Sequence, residues 1–291
     1  MSIRLLPDTL VNQIAAGEVI ERPAAVVKEL VENALDAGAT DITVQLRDGG
    51  QALILVADNG GGMTPEELPL AIQRHATSKL PDDDLLLIRS LGFRGEALPS
   101  IGAVARLTIS SRKSGAADGA KIDVAGGAVA AVQPAPMPPG TRVEVRDLFY
   151  ATPARLNFLK TPRAEGDYAR DMLERLALSR PDVAFALHEE GRRSLQCAVS
   201  GTTSEAMLRA RIGAVVGDEF LASAVPVALT REGVTVGGFI GLPTYNRPTS
   251  TQQFLFVNGR PVKDKLLYAA VRGGYGDLLP TGRHPVLVLY V

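Results

Sequence analysis

Apolar and polar positions along this chain repeat with two periods, and each period predicts a different kind of element. From Glu21 to Gly38 (ERPAAVVKELVENALDAG) the apolar residues recur every three to four positions. Val26, Val27, Leu30, Val31, Ala34 and Leu35 then fall within one half of a helical circumference. Pro23 suits a first helical turn and Gly38 the residue after the last, so the stretch predicts a helix with a core-facing half. Glu29, Asn33 and Asp36 form a polar strip along one border of that half, at i, i+4 and i+7. The period then drops to two. DITVQL and QALILVADN read as strands joined through Asp48, Gly49 and Gly50, an antiparallel hairpin. Thr64 and Glu67 have capping-box spacing and open a helix towards His75. Between Thr77 and Gly95 the periodicity is lost, which predicts a long loop of the kind that serves as a lid. ARLTISS, AKIDVAG and TRVEVRD predict further strands, and a helix is expected from Glu165 to Leu178. Strands and helices do not alternate strictly, which favours an α+β fold.

A second unit is expected to begin after SGTTS, giving domains 1–203 and 204–291. It opens on a helical run, EAMLRARIGAVV, followed by strands (VTVGGFIG, QQFLFVNGR), a helix from Asp264 to about Arg272, and a closing strand, HPVLVLYV. With nothing after that strand, the second domain reads as incomplete.

The 291 residues agree with two domains, and a chain that is 46% hydrophobic can bury substantial cores. With 31 basic against 32 acidic residues the formal charge is −1, so nucleic-acid binding would require a local patch. Cys197 is the one cysteine and there are three histidines, which excludes an intrachain disulfide and zinc-ligand spacing. A reducing, cytoplasmic setting is expected. The N-terminus lacks a basic segment followed by an apolar one, and no apolar run reaches the roughly 18 residues that span a bilayer, so no membrane association is expected.

Three constellations carry candidate chemistry. On a rigid helix, Glu29 can act as general base on a water, and the Asn33 amide oxygen one turn on can join a Mg²⁺ shell that water and phosphate otherwise fill. Taken alone, such a pair is more commonly a solvated helix border. Asp58 in VADNGGGM ends an apolar strand. Asp before glycines is ordinarily a turn, but glycines also let backbone approach a flat ligand, and a carboxylate accepts hydrogen bonds without donating them. It therefore suits the exocyclic amine of adenine and repels the carbonyl of guanine. In LGFRGEALPSIG, Gly92 and Gly95 can turn backbone N–H groups towards an anion at the start of a helix near Glu96. Thr77, Ser78 and Lys79 add hydroxyls and a positive charge upstream. A Walker A sequence is absent, and no Gly-x-Gly-x-x-Gly follows a first strand.

The order and spacing of NQIAAGEVIERPAAVVKELVENALDAGA, DNGGGM, HATSK, GFRGEAL, LFYATPAR and VNGR resemble the N-terminal region of the MutL family of DNA mismatch repair proteins. That family belongs to the ATPase superfamily of DNA gyrase B, the chaperone Hsp90 and histidine kinases. The likeness runs from about Ile3 to the last residue. It implies an α/β sandwich ATPase domain followed by a domain like domain 2 of ribosomal protein S5. It implies Glu29 as general base, Asn33 as Mg²⁺ ligand, and Asp58 as adenine-binding carboxylate with Gly60, Gly62 and Met63 beside it. Thr77, Ser78, Lys79 and Gly92, Phe93, Arg94, Gly95, Glu96, Ala97 and Leu98 match the lid and phosphate loop, and Thr141 the late pocket threonine. Asp58, Thr141 and these loops would thus bind ATP with Mg²⁺.

The resemblance further implies a switch in which ATP orders the lid and an N-terminal arm, here Leu5 to Ile20, and drives homodimerisation that slow hydrolysis resets. Partners would be DNA, the mismatch sensor MutS and downstream repair enzymes. Arg260, in VNGR, and Arg155 are the expected DNA contacts, Arg260 among Lys263, Lys265, Arg272 and Arg283 against two acids, and Arg155 beside Lys160 and Arg163 in ATPARLNFLKTPR. Asn157 stands where many relatives carry a basic residue. The family's γ-phosphate lysine lies beyond Val291, so weak turnover is expected. The reading from another class is a nucleotide-independent DNA-binding or scaffolding module with a vestigial pocket.

Overall fold

The computed structural model describes residues 6–74, 76 and 95–291. It divides into two compact units that interleave along the chain: Met1–Leu173 with Val183–Gln196, and Glu174–Asp182 with Cys197–Val291. Both combine sheet and helix without strict alternation, as the α+β expectation requires.

In the first unit, α1 spans Asp8–Val19, α2 Pro23–Asp36, α3 Glu67–Ala71, α4 Ala97–Val104 and α5 Pro162–Ser179, the last ending in the second unit. Its strands are β1 (Asp41–Arg47), β2 (Leu53–Asp58), β3 (Arg106–Arg112), β4 (Ala120–Ala125), β5 (Ala128–Val129), β6 (Gln133–Pro134), β7 (Gly140–Arg146), β8 (Ala184–Glu189) and β9 (Arg192–Cys197). They form one sheet in the order β5-β4-β3-β7-β2-β1-β8-β9, with β6 beside β4. Pro23 occupies the first position of α2, and the six predicted apolar residues are at most 4% exposed. That face packs on β1 and β2. The predicted hairpin is β1 and β2, antiparallel through a 3-10 turn at Asp48–Gly50. One face of the sheet is a ladder of apolar rows: Ile109, Val143, Val56 and Val44, then Leu107, Val145, Ile54 and Leu46. All eight are at most 7% exposed, because this is the face that the helices cover.

The capping box is closed reciprocally: the Thr64 N–H donates to Glu67 Oε2 (2.7 Å) and the Glu67 N–H to Thr64 Oγ1 (3.3 Å). The helix it opens is nonetheless only five residues long, and His75 lies outside the described residues.

In the second unit, α6 spans Ser204–Val216, α7 Asp218–Ala222 and α8 Lys265–Tyr275. Its strands are β10 (Ala224–Arg231), β11 (Val234–Gly241), β12 (Asn246–Arg247), β13 (Gln253–Val257), β14 (Arg260–Val262), β15 (His284–Pro285) and β16 (Leu287–Tyr290). The main sheet runs β10-β11-β16-β13-β14, so the closing strand sits at its centre. One core gathers Leu178, Ile212, Phe220, Phe239, Phe254, Phe256 and Val288; a second joins Leu255, Tyr275 and Leu287 to the apolar side of α8. The run QQFLFVNGR, expected as a single strand, is two strands around a tight turn, with Asn258 at φ 49 and Gly259 at φ 76. Asn-Gly is the favoured pair for a two-residue hairpin because both residues tolerate positive φ. Arg211 is 1% exposed. Its guanidinium donates to the carbonyls of Ala177 (2.6 Å), Arg180 (3.0 Å) and Pro181 (3.3 Å), closing the C-terminal end of α5.

Candidate functional site

The candidate site lies at the polar end of the first sheet. Beyond the two apolar rows, the next cross-strand row on the covered face reads Ser111, Thr141, Asp58 and Ile42. Hydrocarbon gives way there to two hydroxyls and a carboxylate. Asp58 Oδ1 accepts from the Gly60 N–H at 2.8 Å, and the carboxylate also accepts from the Thr141 N–H. Burial pushes the Asp58 carboxyl above its ordinary value, and those two backbone donors pull part of the way back.

The loop after Asp58 is fixed on two sides. Gly60 packs on the Ala37 carbonyl, which accepts from the Gly61 N–H at 2.9 Å. The Ala37 N–H in turn donates to the Asn33 carbonyl at 3.0 Å, so the end of α2 that carries Asn33 adjoins the loop. On the other side Met63 N–H donates to Ser111 Oγ (2.8 Å) and Ser114 N–H to the Gly61 carbonyl (3.0 Å). Gly62, at φ 66, lies so close to the Arg112 carbonyl that a Cβ would stand 2.1 Å from its oxygen. Gly140, at φ 122, meets the Asp58 carbonyl in the same way, with a Cβ 2.0 Å away, which explains the glycine before Thr141.

Glu29 lies one turn before Asn33 on α2, and its side chain is 28% exposed. Its Oε1 receives the Lys28 ammonium at 3.1 Å, and Lys28 also reaches Glu32 at 2.8 Å. Burial would lower the Lys28 pKa, but its bond to Glu32 and the two carboxylate charges hold it above the usual lysine value. Burial raises Glu32, offset in part by Lys28.

Of the expected loop residues, Gly95, Glu96, Ala97 and Leu98 lie at the start of α4, with Glu96 as its N-cap. Thr77, Ser78, Lys79, Gly92, Phe93 and Arg94 lie outside the described residues. Within the expected arm, residues 8–19 form α1. It packs against α4 with Ala16 and Ile20 fully buried, while Leu10, Val11 and Ile14 are exposed.

The two expected DNA contacts differ in setting. Arg260 is exposed and opens β14 immediately after the Asn-Gly turn. Arg155 is half-buried: its guanidinium donates to the Ile20 carbonyl at 2.9 Å and lies 5.4 Å from the Phe149 ring centroid. Sequence reasoning missed Ser111 and Asn59. Asn59 Oδ1 accepts from the Thr40 and Asp41 N–H groups (2.8 and 2.9 Å), tying the loop to the start of β1. Ser111 was legible as the polar member of the in-phase series Leu107, Ile109, Ser111. Among the described residues no group of three or more His, Cys, Asp or Glu is placed to hold a metal, and no helix is long and apolar enough to cross a membrane.

Comparison with known proteins gives this geometry a context. Residues 21–139 match the family described as histidine kinase-, DNA gyrase B- and HSP90-like ATPase, and residues 212–291 that described as DNA mismatch repair protein, C-terminal domain. The DNA mismatch repair protein MutL of Paramagnetospirillum magneticum is 60% identical over the whole of this chain, which covers 48% of that protein. That of Rhodospirillum rubrum is 58% identical over the whole chain and 46% of its own length. The chain thus spans about half the length of the curated relatives it matches. Among solved structures, the Aquifex aeolicus MutL ATPase domain complexed with ADP is 32% identical, with a TM-score of 0.72 over 94% of this chain and 92% of that one. The N-terminal domain of a DNA repair protein is 26% identical, with a TM-score of 0.80 over 99% and 89%. The chain carries an ATPase domain of the gyrase B and Hsp90 type followed by the mismatch-repair domain, as its motifs imply, and it belongs to the MutL family of DNA mismatch repair proteins.

Proposed function

We propose that this chain binds Mg·ATP between the polar row at the end of its first sheet and helix α2, hydrolyses it slowly, and uses it as a conformational switch in mismatch repair. The observation that carries the reading is the Asp58 carboxylate. It is half-buried, held by two backbone N–H groups at the end of β2, and joined through Ala37 to the helix that bears Glu29 and Asn33. An acceptor in that position is complementary to the adenine amine and opposes the guanine carbonyl. Gly60, Gly62, Met63 and Thr141 would line the base beside it, and Gly95 to Leu98, at the N-terminus of α4, would face the phosphates together with Thr77, Ser78, Lys79 and Gly92 to Arg94. Asn33 would hold the Mg²⁺, which suits an ion that takes few protein ligands and supplies charge neutralisation at the phosphates. Glu29 would accept the proton of the attacking water.

The switch is supported by α1. Its exposed Leu10, Val11 and Ile14 form an apolar stripe that a nucleotide-dependent homodimer would cover. DNA would be bound without sequence preference through Arg260, with Arg155 contributing if its bond to Ile20 is released, and with strong salt dependence. MutS and downstream repair enzymes are the proposed protein partners, and a cytoplasmic site of action the proposed location.

Calorimetry with ATP and GTP in Mg²⁺, paired with single-turnover hydrolysis by Glu29→Ala, tests the reading. The expected outcome is selective ATP binding in both proteins and hydrolysis in the wild type alone. Absence of ATP binding would favour the nucleotide-independent DNA-binding module instead.

A further inference from the structure

Two arginines of the second unit meet without an acid between them. Arg247 lies on β12, half-buried, and its guanidinium is fixed on three sides. Nε donates to Gln252 Oε1 (3.0 Å), Nη2 to the Tyr245 hydroxyl (2.8 Å) and Nη1 to the Asn246 carbonyl (3.2 Å). Arg283 is exposed and reaches over from the residue before β15. Its Nε donates to Asn246 Oδ1 (2.5 Å) and its Nη2 to the same Asn246 carbonyl (3.3 Å). Asn246 is itself held, its amide donating to the Pro243 carbonyl at 2.8 Å. Two cations thus converge on one carbonyl oxygen, and the two nitrogens stand no further apart than those bonds laid end to end.

Every acceptor in this arrangement is neutral. Residues 242–252 and 278–286 contain no Asp or Glu, and neither guanidinium meets a carboxylate among the described residues. A guanidinium has five N–H donors; Arg247 uses three here and Arg283 two, so each keeps unused donors on a side chain already immobilised. The fold brings like charges together and supplies no counter-charge. An oxyanion accepting from both at about 2.8 Å spans the gap, because its own width adds to two such bonds. Phosphate suits two planar forks better than a spherical ion does, and as a free or terminal group it carries about −1.5 to −2, enough to balance both.

We propose that Arg247 and Arg283 form a bridging site for a phosphate group. The site makes no use of the Asp58 pocket, so its failure leaves the nucleotide reading untouched.

The test follows the arginine Nε–H signals of the whole chain by ¹H–¹⁵N NMR, with Arg247→Gln and Arg283→Gln assigning the two of interest. Both are hydrogen-bonded, to Gln252 and Asn246, which slows their exchange. Inorganic phosphate should shift the two signals along one saturation curve, while sodium chloride and sodium acetate at equal ionic strength should not. Arg283→Gln should weaken the response at Arg247 at least about tenfold, the worth of one charge-assisted hydrogen bond. A thymidine octanucleotide without terminal phosphates is titrated in parallel. Shifts of the same two signals assign the ligand to a nucleic-acid backbone; shifts with phosphate alone assign it to a free or terminal phosphate. No shift with either probe overturns the proposal, as does an equal response to chloride or acetate. So does an Arg247 response unchanged in Arg283→Gln, which would mean two independent surface charges. If Arg247→Gln does not fold, Arg283→Gln, altered at an exposed position, decides alone.

Discussion

Replacing Asp58 by Asn changes one atom and should reverse what the pocket asks of its ligand. In the native protein Asp58 Oδ1 is committed to the Gly60 N–H at 2.8 Å, and the carboxylate also serves the Thr141 N–H. The Asn oxygen would keep the Gly60 N–H, because turning the NH₂ towards that donor would bury opposed N–H groups. The NH₂ therefore faces the ligand. On the proposed reading of Asp58 as the adenine acceptor, a charge-assisted hydrogen bond to the adenine amine, worth about 1.5–3 kcal/mol, would be lost and replaced by two donors facing each other. ATP affinity should fall at least roughly ten- to hundred-and-fifty-fold. Nucleotides with a carbonyl at position 6, GTP and ITP, should gain relative to ATP. Titration calorimetry in Mg²⁺ with the three nucleotides reads both effects. The empty protein supplies an independent check. Burial places the folded Asp58 pKa above its unfolded value, so its contribution to stability is fully present below the unfolded pKa and is lost as pH rises through the folded one. At neutral pH the native carboxylate is thus a net cost, and Asn, which does not titrate, should leave thermal stability at pH 7 equal or higher, with the difference shrinking at acid pH. Unchanged ATP affinity, or a variant markedly less stable at neutral pH, would refute the reasoning.

Two further substitutions probe the frame around the site. Gly62→Ala must adopt φ 66 with its Cβ about where the Arg112 carbonyl now stands, so we expect a loss of more than about 2 kcal/mol in urea unfolding together with weaker ATP binding; a loss below about 0.5 kcal/mol would mean the loop relocates freely. Arg211→Ala strands three carbonyls at the end of α5 and opens a cavity, which should cost about 3–4 kcal/mol, less than the sum of its bonds because such terms are not additive; a cost under about 1 kcal/mol would show that water replaces the guanidinium.

Much of the site's scaffold was legible because it is local. The helix at Pro23–Asp36, the hairpin of β1 and β2 and the Thr64–Glu67 box are each set by residues within a few positions of one another, and period or spacing exposes them. Sequence and structure part where a turn signal sits inside an apolar run and where length matters. Asn258–Gly259 makes a hairpin of a run whose apolar pattern alone reads as one strand, and the helix opened by Thr64 stops at Ala71. Arg155 looked like any basic residue in a polar stretch, and nothing near it in the chain foretold a bond to the Ile20 carbonyl.

By itself, then, the sequence determined which segments coil and which extend, and it singled out Glu29 and Asn33 on the polar border of the first long helix, and Asp58 at a strand end, as candidate chemistry. Only the tertiary structure decided that residues 58, 111 and 141 share one row, because the strand order β3-β7-β2-β1 is chosen by long-range packing of the covered face and leaves no periodic trace. The polarity of that row depends on three side chains brought together from distant points of the chain, and each has a different meaning alone.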